Sequence, residues 1–162
     1  MKLFLKRDNS AQHTRFIVCD HNGKEKFTVT GRRYAGADKM LLCSSDSTPL
    51  VTIRCAPFHV FYAFVVKDSS DRFAITATKS RRFIEYRFHG ISWTLCLSGD
   101  GRSFEIFDAD GKLIMSQSAD KYLLTGAYEL DIYSEQRECF CIAAAICANA
   151  VSFTDAVNPV TV

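Results

Sequence analysis

The stretch from Cys139 to Val151 carries no charge and is apolar at every position but Asn149. A helix over such residues is apolar on every side instead of along one stripe, so it must be enclosed. Membrane is one possible enclosure and protein is the other. At about 13 residues the segment spans only ~20 Å, short of the roughly 20 residues a bilayer requires. The rest of the chain therefore has to build a container. Ser134 at the N-cap position and Glu135 in the first turn mark the start, which predicts a helix over residues 134–151.

Upstream, short runs rich in β-branched and aromatic residues alternate with Asp, Asn, Gly and Ser clusters, about every 8 to 12 residues. This rhythm predicts twelve strands: Lys2–Lys6, Arg15–Cys19, Glu25–Thr30, Met40–Ser44, Leu50–Cys55, Val60–Lys67, Arg72–Thr78, Phe83–Phe88, Ser92–Leu97, Ser103–Phe107, Leu113–Ser118 and Tyr128–Tyr133. Phe73, Ile75 and Ala77 interleave with Arg72, Thr76 and Thr78, and Ile84, Tyr86 and Phe88 interleave with Glu85, Arg87 and His89. Period-two alternation of this kind gives one wet face and one dry face. Asp20-His21-Asn22-Gly23, Gly99-Asp100-Gly101 and Asp108-Ala109-Asp110-Gly111 supply hairpin turns. The hairpins around Gly23 and Gly111 share Phe, Asp, Gly and Lys at matching offsets, as a duplicated unit or as two instances of one turn.

An antiparallel barrel needs about eleven strands or more before its lumen admits a helix. The predicted fold is mainly β (α+β), a closed twelve-stranded antiparallel barrel enclosing a hydrophobic C-terminal helix. Alanine and cysteine keep that helix thin, while Phe140, Ile142 and Ile146 fill the wider gaps. A length of 162 residues, without a linker or low-complexity tract, fits a single domain over residues 1–162.

The order of Gly99-x-Gly101, Phe104-Glu105-Ile106-Phe107-Asp108-x-x-Gly111-Lys112-Leu113-Ile114, Tyr128-Glu129-Leu130-Asp131-Ile132 and the closing Cys-Ala-Ile helix resembles the LURP-one-related family. The resemblance covers essentially the whole chain. It implies a fold similar to the tubby C-terminal domain, a twelve-stranded barrel around a central helix. The wider superfamily includes phosphoinositide-binding tubby domains and phospholipid scramblases, so contact with membranes enters by analogy of fold alone.

Twenty basic and eighteen acidic side chains are mixed along the chain for a net charge of +2, which disfavours nucleic acid as a partner. Charges interrupt every apolar run near Met1, so no secretory signal is expected, and neither a myristoylation nor a prenylation motif is present. Seven cysteines without a CxxC pair read as reduced, buried thiols in a cytoplasmic protein.

Catalytic signatures are lacking. His13, His21, His59 and His89 are scattered without metal-ligand spacing, and Cys139 and Cys141 point in different directions on a helix, so no metal or cofactor is expected. No GxSxG elbow or other nucleophile context occurs, and the Asp108–Gly111 turn lacks the ligands and flanking helices of a calcium loop. Trp93 reads as a wall or core residue. Two basic clusters remain, Arg32-Arg33 and Lys79-Ser80-Arg81-Arg82, with Arg87 and Lys121 further along. They are either solvated rims or candidate contacts for an anionic headgroup. The leading expectation is a non-catalytic cytoplasmic binding or scaffold module, peripheral to the inner membrane surface if it binds anionic phospholipid. The alternatives are a protein-interaction module in stress or defence signalling, and a small-ligand carrier or enzyme with its pocket at a barrel mouth.

Overall fold

The computed structural model describes residues 1–8, 15–34, 37–58, 61–99, 101–119 and 127–157. In chain order the strands are β1 (Lys2–Asp8), β2 (Arg15–Asp20), β3 (Glu25–Tyr34), β4 (Ala37–Ser44), β5 (Pro49–Phe58), β6 (Phe61–Lys67), β7 (Arg72–Lys79), β8 (Ile84–His89), β9 (Thr94–Leu97), β10 (Phe104–Phe107), β11 (Leu113–Ala119) and β12 (Tyr128–Ile132). A 3-10 turn, Glu135–Arg137, leads into the helix α1, Glu138–Val157.

All twelve predicted strands are present. They pair antiparallel in the order β8-β7-β6-β5-β4-β3-β2-β1-β12-β11-β10-β9. The β1–β12 ladder, with Leu3 opposite Leu130, bends the sheet back on itself. Closure is nevertheless incomplete, because β8 and β9 stand at the two ends of the order and share no ladder. The predicted closed barrel is thus a nearly closed one, covered by side chains at the seam. Trp93 packs against Phe73 and Phe88 with ring centroids 5.8 Å apart in each case, and Phe73 meets Phe140 of α1 edge-on at 5.0 Å. Gly90, with φ +83°, starts the link between these strands where an added Cβ would meet the Arg72 carbonyl oxygen at 3.4 Å. The link therefore folds over the start of β7, and Trp93 lies in it instead of in a strand.

Inside, α1 is buried as its composition requires: Cys141, Ile142, Ala143, Ala144, Ala145, Ile146, Cys147 and Val151 are fully inaccessible. Burying Phe140, Ile142, Ile146 and Val151 contributes roughly 1.5–3 kcal/mol each as an upper estimate. The helix begins later and ends later than predicted. Ser134 is extended (φ −113°, ψ 91°) and its hydroxyl caps nothing; the Arg137 N–H donates to its carbonyl at 3.1 Å and closes the 3-10 turn first. Downstream, the first residue that cannot continue a helix is Pro159, so α1 runs past 151 to Val157.

One polar pair fixes α1 in the lumen. The Gln117 amide donates to Asn149 Oδ1 at 3.2 Å, and the Asn149 amide donates back to Gln117 Oε1 at 2.9 Å. Their remaining N–H groups donate to the Arg102 carbonyl at 3.0 Å and the Ala145 carbonyl at 2.9 Å, so this buried network leaves no donor unmet. The Tyr86 hydroxyl adds a bond to the Ala148 carbonyl at 3.3 Å.

Because each strand opposes its neighbour, connections alternate between two ends of the barrel. The β2–β3, β4–β5, β6–β7, β8–β9 and β10–β11 links share one end with the start of α1, termed the N-end. The other links lie at the C-end, toward which α1 runs. Three N-end hairpins have the same bonding: Asp20, Ser44 and Asp108 each donate their N–H to the carbonyl four residues on and accept from the N–H three residues on. Each is preceded by a register shift in its ladder. The Ser44 hairpin lacks the sequence likeness of the other two, so the shared geometry follows from turn type alone.

Candidate functional site

Alternation of the links brings the predicted basic clusters to one end. Arg32 and Arg33 stand near the end of β3, in register with Lys39 and Asp38 of β4, and their side chains lie outside the described residues. Lys79 ends β7, and Arg81 and Arg82 are exposed in the β7–β8 turn. Strands β3 and β7 are four steps apart in the sheet, roughly 19 Å along the rim at ~4.8 Å per step. The two clusters therefore share the C-end without touching. Lys121, His13 and His59 lie outside the described residues.

Arg87 is placed differently. It is on the outer face of β8, where its Nε and Nη2 each approach Glu85 Oε1 at 2.9 Å. Its charge is locally answered.

The β7–β8 turn holds a residue the sequence reading assigned to a strand. Phe83 precedes β8 and is 64% exposed, the most exposed large apolar side chain among the described residues. Its carbonyl accepts from the Ser80 N–H at 2.9 Å and the Ser80 hydroxyl at 3.0 Å, which closes the turn and leaves the ring beside Arg81 and Arg82. Register alone could have shown this. A run Arg82-Phe83-Ile84 contains two adjacent apolar residues, and only one of them can face the lumen.

A second basic group was not legible as a cluster. Lys39 of β4 and Arg54 of β5 are directly opposite, and Lys67 of β6 lies opposite Thr52 of β5. All three cations are exposed on the outer wall around a groove of about 520 Å³. They are separated by 15 and 13 positions in the chain, so only ladder register brings them together.

The remaining candidates have structural surroundings. Among the described residues no three His, Cys, Asp or Glu side chains converge. His21 is exposed in its turn, and His89 Nε2 is 3.1 Å from Thr76 Oγ1 on the outer face. The Asp108 carboxylate accepts from the N–H groups of Asp110 and Lys112 at 3.0 and 2.9 Å, as a hairpin turn requires. All seven cysteines are free. Burial, then the nearby Glu138, pushes the Cys141 thiol up to about 12, and burial pushes the Cys147 thiol well above its ordinary value, so both stay protonated thiols at neutral pH. No helix among the described residues is long and apolar enough to cross a membrane.

Comparison with known proteins gives a family. A family model described as LURP-one-related matches residues 1–149. An X-ray structure of a protein from Arabidopsis thaliana is similar over 93% of this chain and 91% of its own, with a TM-score of 0.62 at 15% identity, a likeness of fold. No curated protein matches the sequence.

Proposed function

The chain belongs to the LURP-one-related family, and from that premise we propose that it acts as one non-catalytic cytoplasmic binding module whose C-end touches anionic phospholipid. The observation that carries the reading is the β7–β8 turn, where the Phe83 ring is 64% exposed beside the exposed Arg81 and Arg82. An aromatic ring in water gains free energy at a headgroup boundary, and flanking guanidiniums gain there from anionic lipid. Lys79 ends β7 on the same side and would add to the attraction, and the backbone positions of Arg32 and Arg33 near the end of β3 lie on that side too. The helix C-terminus points to this end as well, so its negative pole favours a basic rim.

Absence of catalysis is supported by α1, which fills the lumen where a barrel enzyme would keep its pocket. Seven free thiols support a reducing compartment.

Co-sedimentation with phosphatidylcholine vesicles, with and without phosphatidylserine, tests the proposal across a salt series. Binding to the anionic vesicles is expected at low salt and to fall as salt rises. Arg81→Gln with Arg82→Gln should weaken it roughly 10-fold or more, and Phe83→Ser should weaken it at every salt concentration. No binding at any salt, or binding unchanged in both variants, overturns the lipid reading and leaves the C-end to a protein partner.

A further inference from the structure

We propose that the groove on the outer wall of β4, β5 and β6 is a second, separate anion site, which takes a small organic phosphate with its phosphate on Lys39, Arg54 and Lys67 and its apolar part on Val65 and Leu50. Antiparallel pairing sets Lys39 directly against Arg54, and Lys67 against Arg72 on its other side. Like charges in opposed positions of a ladder repel, and a sheet without another use for them would place an acid in one of the pair. Here none is supplied. Among the described residues Lys39, Arg54 and Lys67 make no ion pair.

Among the described residues one carboxylate lines the groove, and its Oδ1 is already engaged. It belongs to Asp68 and accepts from the N–H groups of Ser70 and Asp71 at 2.7 and 2.6 Å, which commits it to its own turn. Between the cations lies Thr52, whose hydroxyl can donate to a phosphate oxygen. The apolar side of the groove is unusual for a wet face. Val65 stands opposite Arg54, at an outward position of β6, and is 42% exposed, with Leu50 half-buried nearby. A bare inorganic anion would use only the cations; an anion with an apolar body would use both sides. The groove of about 520 Å³ has room for such a molecule.

This site does not depend on the membrane reading, since it shares no residue with the β7–β8 turn. The test is an amide-resolved NMR titration of the whole chain with inorganic phosphate and with phenyl phosphate. Saturable shifts are expected at Lys39, Thr52, Arg54 and Lys67, with phenyl phosphate at least several-fold tighter than phosphate. Arg54→Gln should weaken both about 10-fold while leaving the melting temperature unchanged or higher, because repulsion is relieved. Shifts confined to residues 79–83, the absence of saturable shifts, or binding indifferent to Arg54→Gln would each overturn the proposal. A lipid-borne phosphate is separated from a soluble one by sedimentation with phosphatidic-acid vesicles in the Arg81→Gln, Arg82→Gln background. Retained binding that is lost on adding Arg54→Gln assigns the site to lipid, and no vesicle binding alongside a positive titration assigns it to soluble phosphates.

Discussion

At the N-end of the barrel four aspartates fold their carboxylates back onto their own turns: Asp20 onto the N–H groups of Asn22 and Lys24, Asp46 onto Thr48, Asp68 onto Ser70 and Asp71, and Asp108 onto Asp110 and Lys112. At the C-end the β7–β8 turn is closed by the Ser80 hydroxyl, and its two arginines and its phenyl ring are left in water. Charge follows the same division. The N-end links also contain Asp71 and Asp110 and meet the positive pole of α1, with Asp71 bound to Arg137 at 2.9 Å and Glu138 within 4.0 Å of Lys26. The C-end combines basic strand ends with the negative pole of the helix, although Asp8 and Asp38 also belong to it. The N-end aspartates are thus committed to their own turns, while Arg81, Arg82 and Phe83 of the β7–β8 turn at the C-end are exposed.

The largest expected effect comes from breaking the helix that joins the two ends. Ala145→Arg puts a guanidinium where the side chain is fully inaccessible, and no Asp or Glu is buried among the described residues to pair with it, a cost that exceeds what a fold of this size can absorb. The variant should be insoluble or lack a cooperative unfolding transition by circular dichroism. Arg82→Glu, a larger change of charge but at the exposed C-end rim, should change stability by no more than about 0.5 kcal/mol. A soluble, cooperatively folding Ala145→Arg would show that α1 is not held in the lumen.

Much of this was legible in the sequence because it rests on local signals. The all-round apolarity of Cys139–Val151 and its length demanded a protein container, and the β-branched and aromatic runs between Asp, Asn, Gly and Ser clusters located the twelve strands. Strand ends drifted by a few residues, as at β4, which starts at Ala37 and not at Met40. What was not legible depends on partners distant in the chain. The open seam follows from β9 pairing with β10 and not with β8, and no composition signal distinguishes those edges. The basic clusters were visible as adjacent residues, but the groove cations were not, since their meeting is a consequence of register. Asn149 looked like an interruption of an apolar run; its meaning required Gln117, 32 positions away.

That pair gives the next effect in size and concerns the C-end only. Asn149→Leu removes both reciprocal amide bonds and leaves the Gln117 side chain, which is 2% exposed, with only its bond to the Arg102 carbonyl, so a loss of about 1–3 kcal/mol is expected in urea unfolding. Adding Gln117→Leu should recover part of it, because the amide groups that Gln117 can no longer pair with residue 149 are then removed. A double variant as unstable as the sum of the singles would mean that packing volume, not the buried amides, decides the site.

At the N-end the smallest effect has a sign that can be reversed at will. Ser47 is the one described non-glycine residue with positive φ, at 68°, and it occupies the turn position held by Gly23 (φ 78°) and Gly111 (φ 77°) in the equivalent hairpins. A side chain in that conformation is strained, and the Ser47 hydroxyl makes no hydrogen bond among the described residues that would offset it. Ser47→Gly should therefore stabilise by roughly 0.5–1 kcal/mol, the relief of strain exceeding the extra freedom that glycine gives the unfolded chain. Gly111→Ala should do the opposite by a similar amount, and for the same reason alone, since nothing lies within 4 Å of the added Cβ. Urea midpoints of the two variants, moving in opposite directions while vesicle sedimentation stays at the wild-type level, would show that N-end turns set stability without serving the C-end surface. A Ser47→Gly midpoint below wild type would mean that the serine stabilises this turn through a contact glycine cannot make, and the equivalence of the three hairpins would fail.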